Sequence, residues 1–184
     1  QDIADLSQER RDYVKRIYPS LSLTEDAGSL FKNPSIQAIV IATPVATHFE
    51  LAMKALEAGK HIFVEKPLLT NFSDLKKIEK TIKNSTSKLM VAHQFVYSDY
   101  INSLKKELLS EKFGEINLVF GTHLYCGPVR NDIGCLWDAG THFLSIIQHL
   151  FNPGKIKDVF GFSNSYSGYK FDTFSNVSLK FENG

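Results

Sequence analysis

The chain has 184 residues, of which 43% are hydrophobic and 22% charged, with a net charge of +1. That balance is ordinary for a globular protein, and with no cluster of Lys and Arg it argues against nucleic acid as the main partner. No apolar run approaches the roughly 20 residues of a transmembrane helix, and the first residues lack the basic and apolar regions of a signal peptide, so a cytoplasmic protein with no membrane partner is expected.

In chain order, "IADL" is a short apolar piece, and Ser7 then begins a charged helical stretch to about Ile17. "QAIVIA" (37–42) is a continuous apolar run rich in β-branched residues, the signature of a strand covered on both faces. Thr47 with Glu50 has the capping-box spacing, Leu51, Ala52, Ala55 and Leu56 form a helical stripe, and Gly59 stands where a helix C-terminus takes a left-handed residue. "HIFV" (61–64) is the next strand, Ser73 to Lys83 the next helix, and "LMVAH" (89–93) a further strand. Strands alternating with helices predict βαβ units and a parallel, doubly wound sheet.

The second half changes character. After a helix over about 98–112, "INLVFGTHL" (116–124), "IKDVFGF" (156–162) and "FDTFSNVSLKF" (171–181) read as strands, the first and last with the alternation of half-buried ones. An open, mainly antiparallel sheet with one face under helix is expected. The predicted domains are 1–95, a partial dinucleotide-binding domain, and 96–184, part of an α+β domain. No Gly-rich phosphate loop precedes "IADL", and the chain stops at "KFENG", so the expectation is a piece of a longer protein. A disulfide between Cys126 and Cys135 is geometrically possible, but reduced thiols are the expected reading, and no paired Cys or His spacing suggests a structural metal.

Ligands of open α/β sheets bind beyond the carboxyl ends of the strands. That edge collects Asp5, Thr43-Pro44, Glu65-Lys66-Pro67 and His93-Gln94. A carboxylate at Asp5 suits the ribose diol of an adenosine and repels a 2′-phosphate, favouring NAD over NADP; the same pattern also reads as a helix cap. Lys66, ending an apolar strand, is placed for desolvation and a lowered pKa, with Pro67 stiffening the turn and Glu65 able to position it or reach a ribose. An ordinary exposed ion pair at a turn fits that stretch too. In "LWDAGTHFLSIIQHL" (136–150), Asp138 and His142 lie one helical turn apart, the spacing by which a carboxylate fixes a histidine tautomer for acid–base work, or merely decorates a surface. His61, His123 and His149 read as structural.

"ATPVATHFELAMKALEAGKHIFVEKPLLTN" (42–71) resembles the core of the Gfo/Idh/MocA family, named for glucose–fructose oxidoreductase, inositol dehydrogenase and rhizopine catabolism. The matching pieces are Thr43-Pro44 with His48, Ala58-Gly59-Lys60-His61, and Glu65-Lys66-Pro67; "VAHQF" and Asp138-x-Gly140-x-His142 follow in the family's order. The resemblance implies a Rossmann domain binding NAD(P) and a C-terminal α/β domain with an open sheet. It implies that Lys66 meets substrate and nicotinamide ribose, with a commonly cis bond to Pro67. Thr43, Pro44, His48 and Gln94 would flank the nicotinamide, and Asp138 and His142 would face the substrate carbon, His142 as acid/base. "GPVRNDIGCLWDAGTHFLSI" is similar to a branch often met among nucleotide-sugar oxidoreductases, which makes Arg130 a candidate for a substrate carboxylate or phosphate. Two departures stand: the family's Gly-rich loop would lie about 25 to 35 residues upstream, and Ser145 replaces an Asp that many members carry.

The expected protein is an α/β oxidoreductase passing hydride between NAD and a hydroxyl carbon of a sugar or nucleotide sugar. Catalysis falls to Lys66, His142 and Asp138, and substrate binding to these three with Arg130. Homo-oligomerisation is expected by analogy. A redox-neutral elimination or glycoside cleavage on the same site, and a non-catalytic binding or dimerisation module, are the alternatives.

Overall fold

The computed structural model describes residues 2–110, 114–124, 129–166 and 168–182. By internal contacts the chain forms two units, one of residues 1–42, 47–64 and 71–90, the other of residues 43–46, 65–70 and 91–184. The second unit therefore takes two loops out of the first half of the sequence.

The first unit is built from β1 (Asp2–Ala4), α1 (Gln8–Ile17), β2 (Ser22–Thr24), α2 (Ala27–Lys32), β3 (Ala38–Ile41), α3 (His48–Glu57), β4 (His61–Glu65), α4 (Phe72–Lys83) and β5 (Leu89–Ala92), with the last residues of β4 and β5 crossing into the second. β1 pairs parallel with β2, Ile3 opposite Leu23. β3 pairs parallel with β4, Ile39 opposite Ile62 and Ile41 opposite Val64, and β5 flanks β4 on its other side. The α/β class and the parallel strands are as the alternation of apolar runs predicts. β2 and α2 are additional: three residues of Ser-Leu-Thr carry too little periodicity to announce a strand.

Local chemistry sets the helix ends. Ser7 caps α1, its Oγ accepting the Arg10 N–H, and Asn71 caps α4 by accepting the Asp74 N–H. The Thr47–Glu50 capping box does not form. The chain enters α3 through a 3₁₀ turn at Val45–Thr47, which leaves Thr47 in helical geometry with no side-chain cap, and Glu50 pairs with Lys54 one turn on. The other end of α3 is a Schellman motif: Gly59 N–H donates to Leu56 O, Lys60 N–H to Ala55 O, and Gly59 has φ +70°.

The core of this unit gathers Ile39, Ile41, Ile62 and Val64 from the strands with Ala52, Ala55, Leu56 and Ile78 from α3 and α4. Burial alternates along β3 and β4, so the expected two-sided cover is corrected: Val40 is 69% exposed and Phe63 38%. Among the described residues only one face of these strands is packed. Lys60 is buried, its ammonium satisfied by the Asn33 and Ile36 carbonyls at 2.7 Å each.

The second unit carries a 3₁₀ turn (Gln94–Tyr97), α5 (Asp99–Leu108), a π-helical turn (Leu136–Gly140), α6 (Thr141–Phe151) and an antiparallel pair, β6 (Ile156–Asn164) with β7 (Phe174–Phe181). The strand expected over 116–124 is absent. A strand exists only where a neighbour takes its backbone bonds, and residues 114–124 have no such partner among the described residues. Leu118, Phe120 and Leu124 are exposed there, and Gly121 lies against the Phe143 ring of α6, where a Cβ would sit 2.4 Å from a ring carbon. β6 is exposed along its length, so the helix-covered face expected of these strands does not form over it either.

Gly59 gives a test of this account. Open space surrounds the position of its missing Cβ, so only backbone strain opposes a side chain. Gly59→Ala is expected to lower the unfolding free energy by about 1–2 kcal/mol in urea titrations.

Candidate functional site

The second unit contains Thr43, Pro44, Glu65, Lys66, Pro67, Gln94, Arg130, Asp138 and His142. Thr43, Glu65 and Gln94 are exposed, each just beyond or at the carboxyl end of one of the adjacent strands β3, β4 and β5. The Lys66–Pro67 bond is cis. Pro67 and Leu69 are buried, anchoring the turn from below, and Lys66 is left half-buried. The Glu65 carboxylate folds back to accept the Lys66 N–H at 3.2 Å.

The central contact joins residues 72 positions apart. Lys66 Nζ donates to Asp138 Oδ1 at 2.7 Å and to the Asp138 carbonyl at 2.8 Å. Arg130 reaches the same Oδ1 with Nη1 at 3.3 Å, while its Nε and Nη2 close on Asp132 at 2.8 and 2.6 Å. Two cations and two carboxylates thus form one neutral network. The pairing with Asp132 raises the Arg130 pKa and holds the Asp132 carboxyl below the usual carboxylate range.

Asp138 stands in the π-helical turn, and that changes the geometry the spacing implies. A π turn closes its hydrogen bonds over five residues rather than four, so residues four apart no longer stack. The expected Asp138–His142 hydrogen bond is therefore absent; the carboxylate serves Lys66 and Arg130 instead. His142 Nδ1 is buried without a hydrogen-bond partner. Burial, then the Lys66 ammonium, pull the His142 pKa down, against the opposing pull of Asp138; His123 and His93 lower it further. A neutral imidazole at neutral pH results, in the state that can accept a proton.

The π turn is itself clamped. Asp172, just before β7, accepts from the Leu136 N–H at 3.0 Å and the Cys135 thiol at 3.1 Å, and its carbonyl accepts the Cys135 N–H at 2.9 Å. Burial pushes the Asp172 carboxyl up, but these donors together with Ser175 hold it below its ordinary value. Burial pushes the Cys135 thiol up, which suits a structural thiol. Gly134 is required beside it, since a Cβ there would meet Asp172 Oδ1 at 1.7 Å. Cys126 and the Gly-Pro pair of the motif ending in Arg130 lie outside the described residues.

Two expected cofactor contacts belong to the first unit. Asp5 follows β1; its Oδ1 accepts the Ser7 N–H at 2.8 Å, and its carboxylate pairs with Arg10. His48 opens α3 and is only 1% exposed. His61 accepts the Lys88 N–H on Nδ1 and His149 bonds Asn102, both structural as expected. His123 also acts electrostatically on His142. Sequence reasoning missed Phe95, whose ring meets His142 edge-on at 4.8 Å. His93, named with Gln94 at the end of its strand, has a buried and unpartnered Nδ1 as well.

The model of the Gfo/Idh/MocA oxidoreductase family, with its NAD-binding Rossmann fold, matches residues 2–93, half of the chain. The chain belongs to that family. It is 32% identical over 161 residues to levoglucosan dehydrogenase of Pseudarthrobacter phenanthrenivorans, covering 80% of this chain and 41% of that one. It is 24% identical over 162 residues to the scyllo-inositol 2-dehydrogenase (NADP(+)) of Bacillus subtilis, covering 83% of this chain and 45% of that one. An NAD-binding protein from Listeria innocua has the same fold with a TM-score of 0.81 at 26% identity, over 100% of this chain and 56% of that one. The chain thus spans less than half the length of these curated relatives.

The residues present fit a nicotinamide cofactor. Polar groups stand exposed at adjacent carboxyl strand ends, and the buried nitrogens of His93 and His142 lack partners that a ligand could supply. Among the described residues no group of His, Cys, Asp and Glu is placed to hold a metal ion, and no helix is long and apolar enough to cross a membrane.

The electrostatics of His142 can be checked directly. Lys66→Met removes an ammonium that opposes imidazolium and releases Asp138, so His142 is expected to titrate higher, nearer the ordinary value of about 6.5. Asp138→Asn is expected to move it lower. Histidine-resolved NMR titration of the three proteins measures both.

Proposed function

We propose that the protein of which this chain is part is a nicotinamide-dependent dehydrogenase acting on a hydroxyl carbon of a sugar or polyol. The observation that carries this reading is the Lys66–Asp138 contact, which holds the lysine at the end of β4 to the turn leading into the His142 helix, all within one unit. The relatives support the substrate class, since levoglucosan and scyllo-inositol, which name them, are both polyhydroxylated rings.

When bound, the nicotinamide supplies the acceptor for the hydride. His142, kept neutral by burial and by Lys66, takes the proton of the hydroxyl being oxidised. Lys66 Nζ donates a hydrogen bond to the same oxygen, stabilising the negative charge that builds there as the proton leaves. Asp138 orients Lys66 and, by neutralising it in the resting site, limits the cost of holding an ammonium half-buried. Thr43, Pro44, Glu65, Pro67 and Gln94 shape the nicotinamide side, Pro67 from beneath the turn. Asp5 would take the adenosine ribose, exchanging its Arg10 partner for the diol, and its charge favours NAD over NADP. A nucleotide sugar is the finer substrate reading; Arg130 would then meet its anionic part.

In the full-length protein, His142→Ala and Lys66→Ala are each expected to lower turnover by about two to four orders of magnitude. NAD affinity, read by isothermal calorimetry, should stay near its unmodified value. Turnover is followed through reduced-nicotinamide absorbance with levoglucosan and inositols as first substrates. Unaltered turnover in either variant refutes the assignment.

A further inference from the structure

We infer that Phe95 is the positioning residue for His142, doing by edge-on packing what the spacing of the sequence assigns to the Asp138 carboxylate. The inference rests on the reading of His142 as the acid/base group, but it concerns the placement of the ring, which is measurable on its own.

An imidazole that moves a proton needs a fixed plane, and a second-site hydrogen bond usually provides it. Here none does. Asp138 Oδ1 is taken by Lys66 and Arg130, and His142 Nδ1 has no partner. What touches the ring is Phe95, with centroids 4.8 Å apart and planes at 86°. That is the T-shaped arrangement in which the positive edge of one ring meets the negative face of the other, a directional contact. Phe95 is 37% exposed, so it is no core residue, and its ring packs on His142.

The contact has a dedicated brace. Phe95 stands in the 3₁₀ turn between β5 and α5, and Asn102 of α5 donates Nδ2 to the Val96 and Ser98 carbonyls at 3.1 and 3.0 Å. The same side chain meets His149 Nε2 of α6 through Oδ1 at 3.2 Å. His149 lies seven residues beyond His142 on that helix, about two turns on. One amide therefore ties the turn carrying Phe95 to the helix carrying His142, and the register between the rings follows from it. The Phe95 ring also keeps water from one side of the imidazole. The other groups acting on His142 are Lys66, Asp138, His93 and His123, with Arg130 acting through Asp138.

The test compares the full chain with its Phe95→Leu, Phe95→Tyr and Asn102→Ala variants by histidine-resolved NMR titration. In Phe95→Leu, the His142 ring protons are expected to lose the ring-current shift of the aromatic neighbour and the imidazole to titrate higher as it becomes better hydrated. Phe95→Tyr, which keeps the edge contact, should restore both readings to those of the unmodified chain. Asn102→Ala should move both in the direction of Phe95→Leu with Phe95 still present. An unmoved His142 in Phe95→Leu, or the same change in Phe95→Tyr as in Phe95→Leu, overturns the inference; an unmoved His142 in Asn102→Ala overturns the brace. Since none of these readings uses turnover, their failure is distinct from failure of the proposed activity, which His142→Ala decides.

Discussion

The ion pair between Lys66 and Asp138 is the constraint on which the arrangement of the second unit depends. It is closed by two hydrogen bonds, one to the side chain and one to the main chain of Asp138, so it fixes the backbone of the π turn as well as a carboxylate. The lysine side chain is 16% exposed and the aspartate 36%, between a surface pair and a buried one. In that regime neither desolvation nor Coulomb attraction dominates, and the extra partners decide the outcome. Arg130 and Asp132 extend the pair into a network of two cations and two carboxylates without net charge.

Committing Asp138 to Lys66 has a consequence for His142. A carboxylate bonded to an imidazole would raise its pKa and hold it as a cation near neutral pH. With Asp138 occupied, burial and the nearby ammonium prevail and the ring stays neutral. Charge and lone pair are thereby kept on separate residues: in the proposed reaction Lys66 would supply the positive charge an alkoxide needs, and His142 the lone pair that takes its proton. Two side chains with opposed tendencies can then act on one oxygen.

Much of the first unit was legible because its signals are local. A β-branched run such as Ala38 to Ile41, a serine before a charged helix, and Gly59 after an apolar stripe each state a backbone preference that nothing in the fold contradicts. Signals requiring a partner fared worse. The alternation over 116–124 describes a surface able to sit in a sheet, but with no neighbouring strand among the described residues the segment lies as irregular chain beside α6. For the site, composition and strand-end position pointed to Lys66, Asp138 and His142 without giving their bonding. The change from a period of 3.6 to a π turn leaves no trace in the local pattern, and the Asp172 carboxylate that bonds its first residue comes 34 residues after Asp138. Phe95 was invisible for a related reason, since only the tertiary fold sets an aromatic residue after β5 against a histidine on α6.

The resting state of Arg130 bears on how an anionic substrate would enter. Its fork already closes on Asp132, which could be taken to exclude a role in binding. Yet both side chains are more than a third exposed, at 41% and 34%. Exposed pairs of this kind are worth only about 0–1 kcal/mol, because water and salt compete for both ions. Exchanging the Asp132 carboxylate for a carboxylate or phosphate of substrate would conserve the charge and the bidentate geometry at Arg130, so the exchange itself costs little. A neutral sugar offers no such replacement and would leave the fork on Asp132. On the proposed reading, the network would accommodate both kinds of ring with the Lys66–Asp138 pair kept, and the choice between them would fall to Arg130 rather than to the residues proposed to act on the hydroxyl.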